Sequence, residues 1–225
     1  MQKLKAVLFD LDNTLVDFWK MKTMAVEAAV SAMIDAGLKI PKARALKMVY
    51  NIYDRKGIEY QKIFDDFLKE AIGKVDWKIL AAGVVAYRKV KESFLDPYPH
   101  VMPTLLELIR RGYRLGVITD SARIQAWTRL TSLRLSHIFE IVITAEDVGA
   151  AKPSSKPFIA ALRIFRLKPV EVAYVGDSID RDMLGAKRVG MITILAKYGK
   201  GWHDKLRIKP DYTIEDISDL LKILK

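Results

Sequence analysis

Leu4-Lys5-Ala6-Val7-Leu8-Phe9-Asp10-Leu11-Asp12-Asn13-Thr14-Leu15 is the stretch that decides the fold. Its first half is an apolar run too short for a helix and closed by a carboxylate, which reads as a buried strand of a parallel sheet. Runs of the same kind recur at Tyr113 to Thr119, Ile138 to Thr144, Glu171 to Gly176 and Met191 to Ala196, with a weaker one at Tyr212 to Ile214. Helical periodicity lies between them. Leu105, Leu106, Leu108 and Ile109 form the apolar stripe of a segment from Pro103 to Arg111 that Gly112 ends. Pro157 to Phe165, Arg181 to Val189 and Ile217 to Leu224 behave alike. Strand, helix, strand at this spacing requires right-handed crossovers, hence an α/β fold whose parallel sheet is covered by helices on both faces.

One stretch breaks the alternation. Between Asp17 and Asp96 only helical patterns occur. Met24, Ala28, Val30, Met33 and Ile34 give a stripe before Gly37; a second helix opens at Pro41 and runs towards Tyr53. Ile63, Phe64, Phe67, Leu68 and Ala71 mark a third before Gly73, and Trp77 to Phe94 a fourth. The expected organisation is a core of residues 1–16 and 97–225 interrupted by a four-helix insert, residues 17–96, with Asp96-Pro97-Tyr98-Pro99 as the returning joint.

Composition bounds the chemistry. With 225 residues, 51% of them hydrophobic, the chain can bury a sizeable core. It has no cysteine, which excludes disulfides, thiolate nucleophiles and thiolate metal sites. His100, His137 and His203 are scattered, so a bound metal would be held by oxygen, which suits magnesium. A net charge of +11 either attracts an anion, nucleic acid or a phosphorylated metabolite, or describes a basic, well-solvated surface. Lys and Arg are spread along the chain, and the longest basic stretch, Lys197 to Lys209, is broken by Gly, Trp and Asp. Trp19, Trp77, Trp127 and Trp202 are far apart and read as packing rather than as a stacking surface for bases. No apolar run approaches the roughly 18 residues of a membrane span, and the N-terminus lacks a signal-peptide pattern. The expectation is a cytoplasmic protein with neither nucleic acid nor membrane as partner.

Four segments at the carboxyl ends of the expected strands carry candidate chemistry, since ligands of open parallel sheets bind at that edge. Asp10 and Asp12 sit two apart across a turn; two carboxylates in one pocket suit a hard cation or a held proton, while an Asx-turn is the alternative. Thr119-Asp120-Ser121 offers a hydroxyl and backbone N–H groups for a phosphate oxygen, or an ordinary helix cap. Lys152-Pro153 places a cation before a helix, with Lys156 as its rival one turn on, where the helix dipole disfavours it. Asp177 and Asp182, in Gly176-Asp177-Ser178-Ile179-Asp180-Arg181-Asp182, form an acidic pair fit for magnesium, with N-capping by Asp180 as the alternative.

Together the four are far more specific than any one, and the chain resembles the haloacid dehalogenase superfamily along its whole length. The matches are Asp10, Asp12 and Thr14 to Asp-x-Asp-x-Thr, Thr119 to the second motif, Lys152 to the third, and Asp177 with Asp182 to the fourth. Ser121 stands where many relatives have Asn, and Ser155 where Pro is frequent, which keeps Lys156 in play. The resemblance implies a Rossmann-like core, a small helical cap and a magnesium-dependent phosphatase of a small phosphorylated metabolite. It implies Asp10 as nucleophile and Asp12 as acid and base. Asp10, Asp177 and the backbone carbonyl of Asp12 would hold the metal. Lys152 and Thr119, with Asp120 and Ser121 beside them, would form the phosphate site. A dehalogenase, which lacks the second aspartate, and a phosphosugar mutase, which shares both, are the neighbouring readings. His100 and Arg123 are expected near the substrate entrance.

Overall fold

A computed structural model describes residues 3–199 and 208–224. Trp202, His203 and most of the basic stretch from Lys197 to Lys209 lie outside the described residues. Two compact units emerge: one holds the residues up to Phe18 and from Asp96 on, the other Trp19–Leu95.

The first unit is built on a parallel sheet. Its strands are β1 (Ala6–Phe9), β2 (Arg114–Thr119), β3 (Ile141–Thr144), β4 (Val172–Gly176), β5 (Ile192–Ala196) and β6 (Tyr212–Ile214), in the order β3-β2-β1-β4-β5-β6. This is the parallel α/β sheet expected from the apolar runs. β1 and β4 are buried throughout, as both-sided cover demands. Alternation along β1 sends Ala6 and Leu8 into a core with Phe158, Ala161, Phe165 and Ala186. On the other side Phe9 meets Phe139 edge to face, with ring centroids 6.2 Å apart.

Among the described residues, ten α-helices are present. α1 (Phe18–Asp35), α2 (Lys42–Lys56), α3 (Ile63–Ile72) and α4 (Trp77–Ser93) follow β1 in sequence. α5 (Val101–Arg110), α6 (Arg123–Ser132), α7 (Ala145–Val148), α8 (Ser155–Phe165), α9 (Leu184–Val189) and α10 (Leu220–Ile223) are interleaved with the remaining strands. A π-helical turn, Ile179–Met183, precedes α9 where the periodicity predicts plain helix. α6 and α7 carry no clear apolar stripe in the sequence. α6 buries only Ala126, Arg129 and Leu130.

The second unit closes on Val30, Met33, Val49, Ile52, Phe67 and Leu68. The inward stripe of α1 keeps Val30 and Met33 of the expected set, with Ile34 partly buried against the same core, but shifts at its start. Met24 is exposed, while Met21, Ala25, Val26, Ala29, Val30 and Met33 are buried. Two apolar faces were possible on that Ala- and Met-rich helix, and packing selected one. Gly83, in mid-α4, exists for closeness: a Cβ there would lie 2.1 Å from Met33 Cε. In α5, likewise, Leu105 and Leu108 are buried but Leu106 and Ile109 are exposed. Trp77 and Trp127 are exposed rather than packed inside.

Candidate active site

The strand order reverses beside β1, and parallel sheets open a crevice at such a point. Asp10 leaves β1 there, its N–H donating to Val175 O of β4 at 2.9 Å, and Asp177 leaves β4 next to it. Asn13, at φ 61°, takes the left-handed conformation that its short amide side chain tolerates, and turns the chain after Asp12. Its N–H donates to Val16 O at 2.7 Å.

Lys152 enters from the segment between β3 and α8. Its Nζ lies 2.6 Å from Asp10 Oδ1 and 2.7 Å from Asp182 Oδ1, and also reaches Tyr174 Oη at 3.2 Å. All four side chains are buried. An ammonium has three protons to donate, so these acceptors saturate it. Burial opposes its charge, yet Asp10 and Asp182 prevail and raise the Lys152 pKa well above its ordinary value. Asp182 accepts from Ser178 N at 3.0 Å with its other oxygen. The close fit of that carboxylate explains Gly176: a Cβ there would lie 2.5 Å from Asp182 Cγ.

Asp10, Asp177 and Asp182 each bring a carboxylate oxygen within 4.8 Å of the others. Burial pushes Asp10 up to about 7 against the pull of Lys152, and burial with the neighbouring Asp10 pushes Asp177 up to about 8. Both oxygens of Asp177 are buried without any hydrogen-bond donor. A carboxylate without donors, beside another carboxylate, is costly unless a cation meets it. The donor set, all oxygen, fits a hard divalent cation. Asp182 is the less available of the three, since Lys152, Tyr174 and Ser178 N engage its oxygens.

Asp12 turns its side chain elsewhere. Its Oδ2 accepts from Ser121 Oγ at 2.6 Å and from Arg129 Nη1 at 2.6 Å, while Oδ1 is buried without a partner. The Asp12 carboxylate is thus separate from the three-carboxylate group, which leaves its backbone carbonyl as the atom to consider for a metal.

Thr119 is buried at the end of β2, and its Oγ1 accepts from Ser121 N at 3.2 Å. The Asp120 carboxylate accepts from Lys152 N at 2.8 Å, so that side chain fixes the lysine segment. Lys156 is exposed, with only its backbone N–H directed to Ser154 Oγ, whereas Lys152 is the lysine brought to Asp10. His100 is paired with Asp216 at 2.9 Å and Arg123 with Asp147 at 2.7 Å. Sequence reasoning missed Arg129, Tyr174 and Arg181, the last with its Nη1 3.5 Å from Asp120 Oδ2. An arginine on a helix ordinarily reads as solvent-facing, and a tyrosine inside a strand as core, so neither carries a site signal.

Comparison with known proteins places this geometry in context. A family model described as haloacid dehalogenase-like hydrolase matches residues 7–196. A glyceraldehyde 3-phosphate phosphatase from Methanocaldococcus jannaschii is 41% identical over 222 residues, covering 99% of this chain and 97% of that protein. The crystal structure of a HAD phosphatase from Thermococcus onnurineus is similar with a TM-score of 0.71 at 28% identity, over 98% of both chains. The crystal structure of a 2-haloacid dehalogenase from Pseudomonas syringae is similar with a TM-score of 0.68 at 26% identity, again over 98% of both chains.

Proposed function

The chain belongs to the haloacid dehalogenase-like hydrolases, in their phosphatase branch, and on that basis we propose that it hydrolyses the phosphomonoester of a small metabolite through an aspartyl-phosphate on Asp10. The observation that carries the reading is the position of Asp10. Lys152 Nζ lies 2.6 Å from one of its oxygens, and the donor-free carboxylate of Asp177 belongs to the same group of side chains.

Phosphoryl transfer asks for alignment and charge compensation more than for covalent help. An Asp10 oxygen forms a bond to phosphorus as the bond to the substrate alcohol breaks. Asp12 gives its proton to the departing oxygen, then takes one from the water that cleaves the acyl phosphate on Asp10, restoring both groups and releasing phosphate. Lys152 and Thr119 hold the remaining phosphate oxygens. Magnesium, held by Asp10, Asp177 and the Asp12 backbone carbonyl, would offset the negative charge of carboxylate and phosphate as they meet. The inserted helical unit takes the role of a cap in this reading.

Full-length likeness to a glyceraldehyde 3-phosphate phosphatase supports a triose phosphate as the first substrate to test. Phosphate release from triose phosphates and from an aryl phosphate, with and without chelator, is the test. Chelator and Asp10→Asn should each abolish turnover; near-normal, chelator-insensitive turnover by Asp10→Asn would sink the mechanism. A mutase would convert its substrate without releasing phosphate, and a dehalogenase would release halide with no need of Asp12, so the same assays separate both.

A further inference from the structure

Arg129 is a buried charge without a role in the mechanism. It sits on α6 with its side chain 2% exposed, and its guanidinium carbon lies 4.7 Å from the centre of the Phe18 ring. Its Nη1 donates to Asp12 Oδ2 and to Ser121 Oγ, both at 2.6 Å, and Ser121 Oγ donates in turn to the same Asp12 oxygen at 2.6 Å. A buried guanidinium is costly unless its geometry is well matched, and here one of its nitrogens is directed at an oxygen of the Asp12 carboxylate.

We propose that Arg129 is the positioning residue of Asp12, with Ser121 as its bridge. Resting on the role assigned to Asp12 above, this adds how that side chain is held. A carboxylate has two oxygens. Arg129 and Ser121 tie Oδ2, which fixes the rotamer, and Oδ1, buried and without a partner, is left as the oxygen that exchanges the proton. The arginine reaches Asp12 through one nitrogen, Nη1, and its guanidinium plane is braced on an aromatic face, a bracing that lysine supplies only in part. Ser121 gains a role as well, because the serine that departs from the family pattern closes the hydrogen-bonded triangle.

The test exploits leaving groups. An alkyl phosphate such as glycerol 3-phosphate needs its departing oxygen protonated, whereas 4-nitrophenyl phosphate releases a stable anion. kcat/KM reports the steps through departure of the leaving group, so later hydrolysis of the phospho-enzyme does not enter it. Arg129→Met should lower kcat/KM for glycerol 3-phosphate about 100-fold while 4-nitrophenyl phosphate stays within about threefold, as loss of general acid catalysis predicts. Asp12→Asn should split the two substrates in the same sense, and Arg129→Lys should recover part of the loss. The ratio of the two values within one variant is insensitive to the fraction folded. Arg129→Lys carries the test if Arg129→Met does not fold. If Asp12→Asn splits the substrates and neither Arg129 variant does, the positioning role is overturned and the role of Asp12 stands. If Asp12→Asn lowers both substrates alike, the role of Asp12 falls and this inference with it.

Discussion

Lys152 Nζ lies 2.6 Å from Asp10 Oδ1, although 142 residues separate the two in sequence. The lysine is as buried as the carboxylate, and on its other side it holds Asp182 at 2.7 Å. One cation thus bridges two buried carboxylates that follow different strands. Removing one member of a buried ion group strands its partners without compensation.

Lys152→Met therefore leaves Asp10 and Asp182 buried without their cation. Denaturant unfolding should show a loss of about 3–5 kcal/mol. Turnover should fall about 100-fold or more, because the site loses a preorganised positive charge. Lys156→Met, at an exposed position, should change neither by a comparable amount. Equal effects from the two variants would show that the wrong lysine had been placed in the site.

The pH dependence of stability follows from Asp10 and Asp177, raised to about 7 and about 8 by burial, with the neighbouring Asp10 adding to the shift at Asp177. In the unfolded chain both titrate near 3.9. Between about pH 4 and about pH 8 the folded protein retains protons that the unfolded chain has released, so stability falls as pH rises through that window. In the presence of chelator, the thermal midpoint should be lower at pH 8 than at pH 5. Magnesium should raise it more at pH 8, where the two carboxylates are more fully ionised than at pH 5. An equal magnesium shift at both pH values would argue against these two groups as ligands.

Asp177→Asn separates the cation from the fold. Its buried oxygens have no donors, so removing the charge should raise metal-free stability at pH 8, by roughly 1–3 kcal/mol. The same change should abolish the magnesium-induced rise in thermal midpoint and the magnesium-dependent turnover. A variant that kept the magnesium shift would place the cation elsewhere.

The legibility of the molecule divides along physical lines. The strands could be read because a sheet covered on both faces leaves continuous apolar runs such as Ala6 to Phe9 and Val172 to Val175, which Asp10 and Gly176 close. Asp10, Lys152 and Asp177 could be read because each stands next to such a run or to the helix that follows. Helix faces were less legible. α1 is rich in Ala and Met around most of its circumference, so Met24 and Met21 are indistinguishable until partners select one side. Arg129 was not legible at all. Its burial depends on Asp12, 117 residues away, and on Ser121, which precedes the helix, and nothing in α6 itself encodes those partners.

Gly176→Ala tests whether the acidic group is as closely fitted as its distances indicate. The added Cβ would lie 2.5 Å from Asp182 Cγ and 2.6 Å from its Cβ and Oδ2, at the end of a strand. Asp182 must shift, and with it the lysine that bridges to Asp10. Overpacking of this kind costs about 1–3 kcal/mol, readable by urea unfolding. The effect should be coupled, not independent. Where Asp182→Gly has already removed the obstructing side chain, its Cβ included, Gly176→Ala should cost markedly less, a non-additivity of about 0.5–3 kcal/mol across the double-mutant cycle. Strict additivity would mean that the strand end gives way instead and that Asp182 is not what requires glycine at this position.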